Sequence, residues 1–82
     1  MSQLHPYRAD IARQANAAAE NARMGTAPQL TGDSNREAVI AWLQWNDRNG
    51  CYTDADCEAE GMEPLTEIEA WDLLADACEY GL

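Results

Sequence analysis

Asp47, Asn49, Gly50, Asp54, Asp56 and Glu58 fall within one short stretch, WNDRNGCYTDADCEAEG, residues 45–61. Carboxylates, an amide and a glycine at close spacing are the materials of a calcium loop. Such a loop needs oxygen ligands at its first, third and fifth positions, a glycine at the sixth and a bidentate glutamate at the twelfth. With Gly50 as the sixth position, the first ligand is Trp45, which offers no oxygen. With Asp47 as the first, Glu58 fits the twelfth, but Cys51 takes the fifth place and Tyr52 the sixth. Each register fails at a required position, so the expectation is no metal site. A turn followed by a short helix accounts for more of these residues. Thr53 can cap a helix whose Asp54 and Asp56 suit the positive end of its dipole, and Gly61 can stop it.

Other chemistry is thinly represented. Cys51, Cys57 and Cys78 with His5 make a nominal Cys3His set, but no close CxxC or HxxxH pair exists to start a zinc site. An odd number of cysteines also argues against a secreted disulfide scaffold. Whether Cys51 and Cys57 pair is left open by the sequence. The single histidine lies near the N-terminus, no Ser–His or Cys–His arrangement follows from spacing, and there is no phosphate-cradling glycine loop. The expectation is a protein without catalytic residues or cofactors, and not an enzyme.

The elements that must carry the charges read as helical throughout. There is no phenylalanine, one valine and no sustained apolar alternation. Pro6 suits the first turn of a helix over about 6–24, with Ile11, Ala15, Ala18 and Ala22 inward and Gly25 as the stop. Residues 25–33 form a linker. Ser34 with Glu37 matches a capping box for a helix over about 35–48. Val39, Trp42, Leu43 and Asn46 form its inward stripe, flanked by Ile40 and Trp45. Asn49–Gly50 suits its end, with Gly50 left-handed. The short helix spans about 54–60. Thr66 with Glu69 opens the last helix, about 67–80, whose apolar face is Ile68, Trp71, Leu74, Ala75 and Cys78. Eighty-two residues make one small domain. The prediction is an all-α single domain: a bundle of three main helices plus one short one. No apolar run approaches the ~20 residues of a membrane span. MSQLHPYRAD lacks the basic start and apolar core of a signal peptide, so a cytoplasmic protein with no membrane partner is expected.

Charge is the strongest signal. The formal net charge is −10. Residues 1–48 carry Asp10, Glu20, Asp33, Glu37 and Asp47 against Arg8, Arg13, Arg23, Arg36 and Arg48, and so sum to zero. Residues 49–82 carry Asp54, Asp56, Glu58, Glu60, Glu63, Glu67, Glu69, Asp72, Asp76 and Glu79, and no base. Glu69, Asp72, Asp76 and Glu79 are spaced to fall along one helical stripe, with no nearby base in sequence to relieve them. A helix–turn–helix reader of DNA would need phosphate-neutralising Lys and Arg, and this half would repel DNA. Two readings remain for the acids: a solvated face that aids solubility, or a field that recruits a basic partner.

Small size, a helical frame, a one-sided run of acids and no catalytic apparatus meet in DADCEAEGMEPLTEIEAWDLLADACEY, residues 54–80. In this the chain resembles phage-encoded anti-defence inhibitors, such as anti-CRISPR proteins and acidic antirestriction proteins of the DNA-mimic type. The resemblance implies a bacterial host cell. It also implies a basic nucleic-acid-binding protein or ribonucleoprotein as partner, held by Asp54, Asp56, Glu58, Glu60, Glu63, Glu69, Asp72, Asp76 and Glu79. The rival reading is a small protein-interaction module or homodimeric regulator. It would use Trp45 and Tyr52 as aromatic anchors and the alanine-rich face of the first helix to dock a second copy.

Overall fold

The computed structural model describes residues 6–22 and 27–78. They form four helices: α1 (Pro6–Ala22), α2 (Arg36–Asn46), α3 (Asp54–Ala59) and α4 (Glu67–Asp76), and no strand occurs among the described residues. The chain is all-α, with three longer helices and one short one. The central element is α4: the backbones of α2 and α1 both come close to it, whereas those of α1 and α2 do not approach each other closely among the described residues.

Apolar spacing explains the packing. On α1, Ile11, Ala12, Ala15 and Ala19 are buried, a stripe at intervals of one, three and four that turns one helical face inward. On α2, Val39, Ile40, Trp42 and Leu43 are buried. On α4, Ala70, Trp71 and Leu74 are buried. Together with Leu30 these residues make one core. Two inward assignments are corrected. Ile68 is 70% exposed and Asn46 is exposed. The buried face of α4 is Ala70, Trp71 and Leu74, which leaves Ile68 on the outside. Ile40, expected at the flank, is in the core.

Most helix ends follow local chemistry. Thr66 Oγ1 accepts from the Glu69 N–H at 3.1 Å, while Glu69 Oε1 accepts from the Thr66 N–H at 2.9 Å, a complete capping box. Thr53 Oγ1 accepts from the Asp56 N–H at 3.1 Å and starts α3. Gly61 ends it at φ 73°. Met62 N–H donates to Cys57 O and Gly61 N–H to Glu58 O, the paired bonds of a Schellman stop.

Three end assignments are corrected. Asn35, one residue beyond Ser34, caps α2: its side chain accepts from Ala38 N–H at 2.9 Å. Ser34 turns back, its Oγ accepting from Thr31 N–H at 2.8 Å. The helix then stops at Asn46, with Asp47 extended (φ −141°). Asp47 builds the turn, as its Oδ1 accepts from Asn49 N–H and its carbonyl from Gly50 N–H. Gly50 does not have positive φ. A different constraint acts there: an added Cβ would run into the Tyr52 ring, which would have to shift. The expected stops at Gly25 and Gly81 lie outside the described residues.

The linker is part of the packed structure. Leu30 is buried, and Asn16 on α1 grips its backbone: Nδ2 donates to Leu30 O at 2.7 Å and Oδ1 accepts from Leu30 N–H at 3.0 Å. Gly32 then lies against α1, where an added Cβ would come within 3.1 Å of Ala9 Cα.

Candidate interaction surface

The acids nominated by the sequence divide into engaged and unengaged groups. Asp54 pairs with Arg36. Glu69 is held by the capping box. Glu67 pairs with Arg8 at 3.2 Å. Arg8 and Arg36 come from the neutral half of the chain and relieve Glu67 and Asp54, while Glu69, Asp72 and Asp76 of the acidic stripe make no ion pair among the described residues. Arg36 is a hub. It also donates to Leu65 O and pairs with Glu37, tying the starts of α2 and α3 to the segment before α4. Among the described residues, Glu58, Glu60, Glu63, Asp72 and Asp76 are exposed and make no ion pair. Asp56 is half-buried beneath the α3 cap. Glu79 lies outside the described residues.

The unengaged carboxylates sit on two elements. Asp72 and Asp76, four residues apart, share the outward face of α4, opposite or beside the buried Ala70–Trp71–Leu74 side. On a helix this spacing places their Cβ atoms about 5–6 Å apart. Glu58, Glu60 and Glu63 belong to α3 and the segment after it. The backbones of α3 and α4 do not approach closely among the described residues. The exposed carboxylates thus lie on two elements, with Arg36 and its partners near the start of both helices.

The nominated aromatic anchors have structural duties. Trp45 is half-buried against the core and tilts 57° to Trp42, with centroids 5.5 Å apart. Tyr52 is half-buried against the core, and its hydroxyl donates to Asp47 Oδ2 at 3.2 Å. Burial, followed by the Asp47 charge, pushes the Tyr52 phenol above its ordinary pKa. The sign follows from that direction. The fold favours neutral Tyr52, so its contribution is complete below the ordinary tyrosine value near ~10 and is lost as pH rises through the higher folded value. We expect ultraviolet titration of a Tyr7→Phe, Tyr80→Phe background to place Tyr52 above an unfolded tyrosine. Asp47→Asn should bring it part of the way back; an unchanged midpoint in that variant would show that the carboxylate does not act on the phenol.

Alanine-mediated docking of a second copy loses its main surface, since Ala12, Ala15 and Ala19 are buried in this chain's own core. The cysteines are free thiols. Cys57 is fully buried, with its Sγ 3.9 Å from Cys51 O, and Cys78 Sγ lies 3.8 Å from Ile11 O. Burial raises the Cys51 and Cys78 pKa values, and Glu60 and Asp56 add to the effect at Cys51. Both are consequently poor thiolates at neutral pH. Among the described residues, no group of three or more His, Cys, Asp and Glu side chains is placed to hold a metal ion, and no helix is long and apolar enough to cross a membrane.

One feature escaped the sequence reading. Tyr7 (59% exposed) and Ile68 (70% exposed) flank a groove between α1 and α4, with Ile11 and Trp71 also lining it. Arg8 lies over the Trp71 ring, 4.9 Å from its centroid. The Trp71 indole N–H is buried and has no acceptor. In the sequence, Ile68 looks like an ordinary core residue and Tyr7 carries no signal of its own; the structure leaves both exposed.

Neither a protein-family model, nor a curated protein, nor a solved structure matches this chain.

Proposed function

We propose that the protein is a non-enzymatic inhibitor that binds a basic nucleic-acid-binding surface of a bacterial defence complex, a CRISPR effector or a nuclease, and blocks its access to DNA. The observation that supports this reading is the set of exposed carboxylates without ion pairs: Glu58, Glu60, Glu63, Asp72 and Asp76. Carboxylates left unpaired at helical spacing repel one another, by a few tenths of a kcal/mol per pair. A basic groove would relieve that repulsion, and the long-range field would speed the encounter. Regular 5–6 Å steps along a helix also approximate the charge density of a phosphate backbone. Asp72 and Asp76 are the residues of first importance, because α4 is fixed by packing on both α1 and α2.

The test is capture of partners from bacterial lysate on tagged protein, with elution by increasing salt. A nucleic-acid-binding complex released at moderate salt is the expected result. The captured complex is then assayed for DNA binding with the parent protein and with Asp72→Arg/Asp76→Arg. Both positions are exposed, so the helical circular dichroism should be retained. Loss of inhibition in the folded double variant supports the proposal, and full inhibition refutes it.

A further inference from the structure

We propose that the α1/α4 groove is a docking site for an apolar side chain on a basic protein segment. The groove adjoins the carboxylate face and shares Asp72 with it, but its apolar walls are separate, and a partner with no role in nucleic-acid binding would satisfy it equally.

The groove has two walls at helical spacing. Tyr7 and Ile11 are four residues apart on α1, and Ile68, Trp71 and Asp72 are three and four apart on α4. Its volume is about 340 Å³, at the small end of ligand pockets, which run to roughly 300–1,000 Å³. That suits one or two side chains better than a whole cofactor. Ile68 and Tyr7 are among the few large apolar residues left exposed, and both belong to this one groove. Isolated exposed apolar residues are ordinary; here two of them line the same concave surface.

Charge selects the occupant. The one cation at the groove, Arg8, is paired with Glu67 and lies over Trp71. Asp72, on the opposite side, makes no ion pair. Asp76 follows it one turn along α4. The rim therefore presents uncompensated negative charge beside an apolar floor. A second copy of this chain, with net charge −10, would be repelled. A segment carrying Leu, Ile or Phe flanked by Arg or Lys would place its apolar side chain between Tyr7 and Ile68, with its cation against Asp72.

The experiment pans a random peptide library on the full chain and measures the selected peptides by fluorescence anisotropy. Enrichment of an apolar residue with neighbouring Arg or Lys is expected. Ile68→Ser should weaken the selected peptide about tenfold or more, from lost apolar burial. Tyr7→Ser should weaken it similarly, and Glu58→Arg, on α3, should do so far less. Ile68 is mostly exposed, so thermal melting of Ile68→Ser should match the parent and separate lost docking from lost folding. No enrichment, or selected peptides that bind Ile68→Ser as well as the parent, would overturn the proposal. So would sedimentation showing a dimer that Ile68→Ser dissociates, because the groove would then belong to a second copy. Failure of the inhibitor reading would leave these peptide results untouched.

Discussion

Trp42→Ala is expected to remove most of the stability of this domain. Trp42 is fully buried, in the α2 face that packs on α4, with Trp45 tilted against it. Truncating a core tryptophan to alanine costs about 3–5 kcal/mol. A domain of this size has roughly 0.05–0.15 kcal/mol of stability per residue to lose. The small core residues Ala12, Ala15, Ala19 and Ala70 offer little side chain to move into the space. The indole N–H of Trp42 has no acceptor, so the side chain contributes through packing alone. Trp42→Phe should accordingly lose much less, since it keeps an aromatic ring and removes the unpaired donor. Thermal melts followed by circular dichroism provide the measurement. At roughly 4–8 °C per kcal/mol for a chain this short, the alanine variant should melt at least ~12 °C lower or be unfolded at room temperature. A shift of only a few degrees would mean that Trp42 is not the centre of the core.

The second large effect is at Asn16. Its side chain makes both hydrogen bonds to the backbone of Leu30, in the manner of a strand neighbour. Leu30 is buried, so its N–H and C=O have little access to water once Asn16 is gone. Each group left unpaired costs about 1–3 kcal/mol. Asn16→Ala orphans both, and Asn16→Asp keeps the acceptor for the Leu30 N–H while setting a carboxylate against the Leu30 carbonyl. Both variants should be destabilised, with the aspartate worse at neutral pH and recovering as acid protonates it. Backbone hydrogen exchange at Leu30 offers a local readout: protection there should collapse in Asn16→Ala before α2 and α4 are affected. Retained protection would show that the packing of Leu30 holds the linker without Asn16.

How much of this was legible in the sequence depends on how local the cause was. Helix class and approximate positions follow from periodicity. The Thr66–Glu69 box, the Thr53 cap and the Gly61 stop were all readable, because each is decided within four residues. The start of α2 was not: Ser34 and Asn35 are equally good caps, and the choice falls to Asn35 because Ser34 is taken by Thr31. Gly50 was identified as necessary for the wrong reason, since its constraint is the Tyr52 ring and not a left-handed backbone. The Asn16–Leu30 grip and the Arg8–Glu67 and Arg36–Asp54 pairs join residues far apart in the chain, and no spacing rule announces them. The candidate surface was half legible. The sign and location of the acids were plain, but which were unengaged was not. The groove was not legible because it depends on which face of α4 turns inward, and that face carries Ala70 and not Ile68.

The order of helices along the chain sets when the molecule can exist. The backbones of α1 and α2 both lie against α4 and not close against each other. A nascent chain delivers α1, α2 and α3 before α4, whose Ala70, Trp71 and Leu74 complete the core. A product stopped before residue 67 lacks that part of the core, and leaves Trp42 and Leu43 without the helix that α2 packs against.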